Sequence, residues 1–221
     1  MPFERGSGRG IGVETPLIRP AVEADLSELG SSLCRAFIED PMMRFIFGEV
    51  AQRPEALEWF MTAGARYGLL WGRVLTTAAP ARGASVWLSP GEGEMVPERL
   101  AAAGFDQAPE RMGLEAFERF MAVMEHFQGL HGRIAPEPHW YLMILGVDPE
   151  RQRQGLGGLL LEPVLREARE AGLAVYLETS REENVAFYQR HGFRMEEASV
   201  TPGGLRVWAM LRPPHLPVGA V

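Results

Sequence analysis

The stretch Val147–Gly158, VDPERQRQGLGG, decides the fold of this 221-residue chain. It follows the apolar run HWYLMILGV at residues 139–147 and leads into a segment whose apolar side chains recur at helical spacing. A strand, a short loop and a glycine-rich helix start gather free backbone N–H groups at one point. The N-terminal end of a helix also carries about half a positive charge. The stretch therefore predicts a site for a phosphate group that is built from backbone.

The glycines of this stretch fit that interpretation. Gly155, Gly157 and Gly158 lack a β-carbon, so a pyrophosphate could approach the main chain closely, and Arg151 and Arg153 would add positive charge beside it. An ordinary tight helix start that needs glycine only for packing is the alternative. The phosphate interpretation favours a phosphate-bearing cofactor.

Several common classes of site do not fit the sequence. A P-loop requires a Gly-Lys-Ser/Thr motif, and a dinucleotide-binding fingerprint requires a third glycine where Leu160 stands. The chain has neither a GxSxG serine-hydrolase elbow nor an HExxH zinc motif, so we assign no metal. All 22 basic residues are arginine, which excludes Schiff-base catalysis by a lysine.

Composition and charge restrict the kinds of binding partner that we expect for this protein. The net charge is −7 with a pI near 5.4, so no overall positive field favours nucleic acid or an anionic membrane surface. The single Cys34 argues against a disulfide framework. No apolar run is long enough for a membrane span, and the N-terminal residues lack the hydrophobic core of a signal peptide. We therefore expect a cytoplasmic protein.

The chain reads as a single domain at residues 14–213, with a flexible arm at 1–13 and a tail at 214–221. Within it, residues 92–132 predict a helical segment whose methionine and phenylalanine side chains recur every three or four positions. These side chains either pack in the core or line part of a pocket for an apolar ligand, and both roles are compatible. They are Met112, Phe117, Phe120, Met121, Met124 and Phe127.

Two motifs together resemble a known family. Gln152, Gly155 and Gly157 match the Q/RxxGxG/A pyrophosphate signature of the GCN5-related N-acetyltransferase (GNAT) superfamily, and YLETSREENVAFYQRHGF at 176–193 is similar to its following strand and helix. The likeness covers roughly residues 15–212 and is greatest to puromycin N-acetyltransferase-like members. It implies an α/β (α+β) fold with a central mixed, mostly antiparallel sheet of six to seven strands. Strands 4 and 5 of that sheet are parallel, splayed and flanked by helices.

The resemblance also implies acetyl-CoA as cofactor and assigns residues to it. The end of the central strand would contact the pantetheine arm, the loop would wrap the pyrophosphate, and Asn184 would hold the arm, unless Asn184 is only a helix-capping residue. Tyr188 would protonate the departing thiolate, unless it is only a buried aromatic. The assigned cofactor-binding residues are Leu145, Gly146, Val147, Gln152, Arg153, Gln154, Gly155, Leu156, Gly157, Gly158 and Asn184.

The general base is left open by the sequence. The run HWYLMILGV contains no acid, so the strand glutamate of histone-type members has no counterpart here. Glu178, at the end of the following strand, and Asp40, predicted to end the first helix, are the candidates; His139 is a weaker one. Both carboxylates also fit structural roles, Glu178 as a hydrogen-bonding residue and Asp40 as a turn residue before Pro41.

The function implied by the resemblance is direct transfer of an acetyl group to the primary amine of a small molecule. A non-catalytic acyl-CoA sensor and a protein or peptide N-acetyltransferase are the alternatives. Puromycin-type members carry a tyrosine where this chain has Asp40, so the resemblance does not imply puromycin as the acceptor. The sequence leaves a homodimer open as well, since it does not separate a dimer surface from the core.

Overall fold

The computed structural model describes residues 16–48, 54–92 and 95–214, and it shows one seven-stranded sheet. The predicted arm at 1–13 and nearly all of the tail lie outside the described residues. The sheet order is β1-β2-β3-β4-β5-β7-β6, and every neighbouring pair is antiparallel except β4 and β5. This confirms the predicted mixed sheet. The strands are β1 (Ile18–Pro20), β2 (Gly72–Thr77), β3 (Gly83–Leu88), β4 (His139–Val147), β5 (Ala174–Thr179), β6 (Arg194–Val200) and β7 (Arg206–Arg212).

Eight α-helices in the described ranges cover the sheet. They are α1 (Leu26–Phe37), α2 (Pro41–Phe47), α3 (Pro54–Trp71), α4 (Pro97–Ala102), α5 (Ala108–Met112), α6 (Leu114–Ile134), α7 (Leu156–Glu170) and α8 (Glu182–Arg190). The helical segment predicted at 92–132 is divided into α4, α5 and α6, because Gly104 and Gly113 adopt positive φ angles of 99° and 84° that interrupt a helix. The short helix α2 was not predicted.

Alternation along the strands sorts side chains onto two faces of the sheet. Tyr141 and Tyr176 pack in the cluster formed with α1, α3 and α6, on the side we call the α1 face. Trp140 and Leu142 pack in the cluster formed with α7 and α8, on the side we call the α7 face. Both faces are covered, which explains why β4 is apolar along its whole length.

Close packing fixes α1 on the end of β4. A β-carbon on Gly146 would lie 2.5 Å from Leu33 Cδ2 and 2.8 Å from Phe37, so only glycine allows this approach. The first helix is thereby held beside the C-terminal end of β4. In the described part of the chain, no helix combines the length and the apolar character that crossing a membrane requires.

Candidate active site

The parallel strands β4 and β5 separate partway along their length. Their pairing runs only from His139 opposite Ala174 to Leu142 opposite Leu177. On the other edge of β4 the register with β3 shifts, because Val86 lies opposite Ile144 and Trp87 opposite Leu142, which leaves Met143 as an additional residue in β4. Such a β-bulge bends a strand and increases its twist. The bulge therefore lies where β4 leaves β5, and it opens a gap through the sheet.

The loop that follows β4 is held in place by polar contacts. Asp148 is 2% exposed, accepts a hydrogen bond from the Glu150 backbone N–H, and forms an ion pair of 2.7 Å with Arg35 of α1. Gln152 Nε2 donates to the Val147 carbonyl at 3.1 Å. These contacts join the loop to α1 and back to its own strand, so its backbone is fixed before any cofactor binds.

The helix α7 begins at Gly155 with uncapped N–H groups. Gly155 is the N-cap, has φ 82° and makes no side-chain cap hydrogen bond, and a β-carbon there would meet no atom within 4 Å. The first N–H groups of an α-helix have no partner within the helix, so those of α7 face the open groove in front of Gly155. The groove is about 870 Å³ in volume. Its arginines are Arg35, Arg151, Arg153, Arg181 and Arg190.

This donor set fits the pyrophosphate and arm of coenzyme A. Backbone N–H groups at a helix start and several guanidinium groups favour phosphate, and the groove continues along the free edge of β4. Of the cofactor-binding residues assigned from the sequence, all except Gln154 line this groove. Gln154 Nε2 instead donates to the Glu150 carbonyl at 3.1 Å.

The three loop glycines differ in how much space surrounds the position of a β-carbon. Only Gly155 faces open space, because a β-carbon on Gly157 would lie 3.3 Å from Phe187 and one on Gly158 would lie 3.0 Å from His191 Nε2. Glycine at 157 and 158 thus serves the packing of α7 against α8. The packing alternative from the sequence applies to these two positions, and the open approach to the backbone applies to Gly155.

A second cavity lies on the other side of the gap and is mostly apolar. Its volume is about 130 Å³. Eight phenylalanine and methionine side chains from α1, α2, α3 and α6 are part of its wall, including Phe120, Met124 and Phe127 of the predicted stripe. By contrast, Met112 is 1% exposed in the core and Met121 is 45% exposed. Part of the stripe therefore lines a cavity and part packs in the core, while its role toward a ligand stays a prediction. The polar residues of the lining include Asp40, Glu178, Asn184 and Tyr188.

Glu178 lines this cavity with a carboxyl group that is withdrawn from water. Burial raises its pKa from 4.5 to about 7, although the neighbouring hydroxyls of Tyr141 and Tyr176 lower it. Its Oε1 atom is buried and has no hydrogen-bond partner in the described part of the chain. A carboxyl with a pKa near neutrality and a free oxygen in a cavity has the properties of a general base.

Asn184 and Tyr188 lie one helical turn apart on α8 and line both the groove and the cavity. Burial raises the pKa of Tyr188, and the negative charge of Asp40 raises it further, so its hydroxyl keeps its proton. Asn184 Nδ2 donates to Thr179 Oγ1 at 3.2 Å, which orients its amide at the end of β5. The structure thus brings both residues to the gap between β4 and β5.

Asp40 does not end the first helix, which corrects its predicted place. Helix α1 ends at Phe37, and Asp40 is the N-cap of α2, where Oδ1 accepts from the Met42 N–H at 2.9 Å. Its carboxylate also accepts from Ser180 Oγ at 3.1 Å and from Arg181 Nε at 3.3 Å. Since the proline at position 41 starts a second helix rather than closing the first, an aspartate before it acts as a cap.

Several residues of the site were not predicted from the sequence. Arg35 and Arg181 lie in the cofactor groove, and Ser180 joins the β5–α8 loop to Asp40. Tyr141 and Tyr176 flank Glu178. Period-two alternation from Glu178 back to Tyr176 was the one signal available for the last of these. The others depend on contacts between distant parts of the chain.

Comparisons with known proteins agree with this geometry. A family model described as the acetyltransferase (GNAT) family matches residues 97–193, which include β4, the loop, α7, β5 and α8. An uncharacterized N-acetyltransferase of Schizosaccharomyces pombe is 24% identical over 188 residues, covering 80% of this chain and 74% of its own length.

Solved structures of acetyltransferases share the fold. A Corynebacterium glutamicum protein described as histone acetyltransferase HPA2 and related acetyltransferase has a TM-score of 0.65 at 20% identity, over 92% of this chain and 98% of that one. Drosophila melanogaster polyamine N-acetyltransferase has a TM-score of 0.62 at 17% identity, over 90% and 100%. Arylalkylamine N-acetyltransferase 2 of Aedes aegypti has a TM-score of 0.57 at 11% identity, over 89% and 98%. Likeness at these identities shows the fold alone.

The fold, the loop at the start of α7 and the family match define an acyltransferase. Residues 97–193 match the acetyltransferase (GNAT) family, and the chain is similar to N-acetyltransferases over most of its length; these likenesses and the site indicate an acetyl-CoA-dependent N-acetyltransferase. The predicted superfamily, fold and cofactor are thereby confirmed.

Proposed function

We propose that this enzyme acetylates the primary amine of a small molecule whose amine-bearing part carries a compact apolar group. One observation carries the proposal: a carboxyl group and a phenol from opposite faces of the sheet line a single small cavity that is otherwise apolar. Glu178 comes from β5 with the α1-face residues, and Tyr188 comes from α8 with the α7-face residues. The gap beside β4 is where the two can act on one substrate.

The size and chemistry of the cavity support this acceptor class. An apolar protein cavity of about 150 Å³ is enough to hold benzene, so about 130 Å³ suits an aromatic ring or a branched alkyl group of similar size. Methionine and phenylalanine side chains adapt to such groups, but they provide no hydrogen-bond or ion-pair partner for a substrate with several charges. A polyamine or a polar peptide would leave charged or polar groups unpaired there, at considerable cost.

Each protein group has a defined task in this proposal. Acetyl-CoA supplies the acetyl group as a thioester, and the groove holds its phosphates. Glu178 takes one proton from the ammonium, which frees the nitrogen lone pair. Tyr188 gives its proton to the thiolate and recovers the second proton of the amine. The amide bond forms, the thioester C–S bond breaks, and one proton leaves through Glu178, so atoms and charge balance.

Glu178 is a better base than Asp40 in this arrangement. The Asp40 carboxylate is engaged by Met42, Ser180 and Arg181, whereas Oε1 of Glu178 is free. We therefore assign Asp40 the task of holding the β5–α8 loop against α2. His139 is not among the described residues that line the cavity. Its Nε2 lies 2.5 Å from His131 Nε2 instead.

The test is an acceptor screen that follows CoA release and identifies each product by mass spectrometry. Arylalkyl and branched alkyl primary amines should give the highest kcat/KM, and the matched N,N-dimethyl amines should give no product. Faster transfer to polyamines or to peptide N-termini would overturn the acceptor class. Acetyl-CoA binding without transfer to any amine would favour the sensor alternative. A cytoplasmic location and a homodimer remain predictions from the sequence.

A further inference from the structure

Two buried polar atoms beside the cavity have no partner in the described residues: Oε1 of Glu178 and the hydroxyl of Tyr176. Tyr176 is fully buried and does not line the cavity, so contact with the acceptor does not explain its hydroxyl. Buried polar groups are nearly always hydrogen-bonded, and leaving one without a partner is costly. A tyrosine at this position therefore needs another reason.

The strand register brings three polar side chains together on the α1 face. Tyr141 of β4 lies directly opposite Tyr176 of β5, and Glu178 follows two residues later on the same face. The two phenol rings have centroids 5.8 Å apart. Glu178 acts on both hydroxyls and they act on it, so the carboxyl and the two phenols form one electrostatic unit.

Helix α6 fixes the ring of Tyr176 from behind. The His131 ring stacks on it with centroids 4.6 Å apart and planes at 12°. The orientation of His131 follows from its partner: His139 Nδ1 lies 2.6 Å from the Glu137 carbonyl and so donates to it, which leaves His139 Nε2 to accept from His131 Nε2–H at 2.5 Å. The two imidazoles thus hold each other in defined tautomers, and Tyr176 has a rigid backing.

We propose that Tyr176 is a positioning residue for acetyl transfer: its hydroxyl and Oε1 of Glu178, the two polar atoms without a partner here among the described residues, pair with each other when the carboxyl is ionised, and Tyr176 and Tyr141 then hold that carboxyl toward the cavity. This inference rests on the proposed role of Glu178 as the base. Tyr176 lies behind the carboxyl and acts through it, without touching the substrate.

The balance of effects on Glu178 supports this role. Burial alone favours the neutral carboxyl, and the two hydroxyls oppose burial, so that the pKa is about 7 rather than higher. A protonated carboxyl accepts no proton from an ammonium ion. Removal of one hydroxyl should therefore raise the pKa of Glu178 and move the onset of activity to higher pH.

The two histidines behind this unit lose their protons below neutral pH. Burial and the neighbouring His139 lower the pKa of His131 to about 4, and burial lowers that of His139. Arg133 of α6 and Glu197 of β6 act on Tyr176 from farther away. Asp40 and Tyr188 face Glu178 across the cavity. We call the rise of kcat/KM on the acidic side of the pH profile the acidic limb, and we assign it to the ionisation of Glu178.

The experiment compares kcat/KM against pH for the wild type, Tyr176→Phe and Tyr141→Phe. A hydrogen bond to a charged group corresponds to about one pKa unit, so each variant should show its acidic limb about one unit higher. Activity near pH 7 should fall about fivefold and recover toward wild type at high pH. A merely structural role would lower activity equally at every pH, and an acidic limb that stays in place would overturn the proposal.

Tyr67→Phe is the matched control for the position of the acidic limb alone, because Tyr67 is a buried tyrosine of α3 that also lines the cavity but whose hydroxyl is not among the groups that act on Glu178. Its acidic limb should coincide with that of the wild type. Infrared difference spectra of the protonated carboxyl, assigned with Glu178→Gln, measure the same titration without turnover. If no amine is acetylated, the proposed function fails. The shift of the carboxyl titration in Tyr176→Phe still tests the positioning role.

Discussion

The cofactor groove and the proposed acceptor cavity meet at the same gap in the sheet, yet they are formed by different parts of the chain. The groove uses the backbone of one short segment, residues 147–158, with arginine side chains around it. The cavity uses side chains from six helices and two strands. A site formed mainly by one loop can be recognised from a contiguous sequence motif. A site formed by side chains from many elements can be recognised only once the fold is known.

This difference should separate the effects of mutations into two groups. Changes to the loop backbone should alter acetyl-CoA affinity and leave acceptor chemistry intact, and changes in the cavity should do the reverse. Five of the described residues line both sites: Phe37, Asp40, Leu145, Asn184 and Tyr188. Single substitutions in the groove and in the cavity test how far the separation holds.

The largest effect is expected for Glu178→Gln. Loss of a general base typically costs 10²- to 10⁴-fold, so kcat/KM for the amine should fall about 10³-fold near pH 8, with the Kd for acetyl-CoA unchanged. Steady-state kinetics and calorimetric titration measure the two quantities. Glu182→Gln removes an exposed carboxylate from α8 and should have little effect on either. A comparable loss in the two variants would remove Glu178 from the reaction.

Tyr188→Phe should show the next largest loss. Without the phenolic proton the thiolate must leave unaided, so kcat should fall about 10²-fold, at the lower end of the range for a general acid because a thiolate is a moderate leaving group. Because Tyr188 borders both sites, the KM values for acetyl-CoA and amine are measured together. Full turnover at neutral pH would show that the hydroxyl has no catalytic role.

The stability of the protein should depend on pH through Glu178. Its pKa rises from 4.5 to about 7 on folding, so its contribution to stability is fully present below pH 4.5 and is lost as pH rises through 7. The difference corresponds to about 2–3 kcal/mol after solvent screening. Glu178→Gln should therefore gain that amount relative to wild type between pH 4.5 and pH 8 in urea unfolding. Parallel pH curves for the two proteins would contradict the raised pKa.

The smallest effect concerns the loop. Gly155→Ala forces a β-carbon onto a residue with φ 82°, at a cost of about 1–2 kcal/mol, and should weaken acetyl-CoA binding about tenfold with kcat nearly unchanged. Gly172→Ala imposes the same strain at φ 66° after α7, away from the groove. It should lower the melting temperature similarly and leave the acetyl-CoA Kd in place. Equal losses of acetyl-CoA affinity in the two variants would mean that the backbone at Gly155 does not form the binding groove.

The sequence predicted the order of the elements around the groove for a physical reason. The order of strand, loop, α7, β5 and α8 is contiguous, and its signals are local: an apolar run, glycines and a helical period. The same reasoning placed Asn184 and Tyr188 on one face of α8, since a spacing of four residues determines this in any helix.

The acceptor side could be predicted only in part. The stripe on α6 indicated apolar side chains but not which of them face the cavity, because Phe120 and Met121 are adjacent in sequence and differ only in their direction from the helix axis. The environment of Glu178 depends on Tyr141, which lies 37 positions earlier and meets it only through strand pairing. The place of Asp40 was wrong because it was assigned to the end of the first helix, whereas Pro41 begins a further helix that Asp40 caps.

The additional residue in β4 has a consequence for the alternation of this strand. After Leu142 the side chains of Met143 and Ile144 both join the α1-face cluster, so an inside-outside pattern counted from His139 is reversed beyond that point. Deleting Met143 would restore simple alternation with Ile144 and the residues after it on their present faces, remove the bend that separates β4 from β5, and close the passage that lets helices on opposite sides serve one reaction. Engineers who retune acceptor preference can vary the surrounding helices, but the length of this strand must stay as it is.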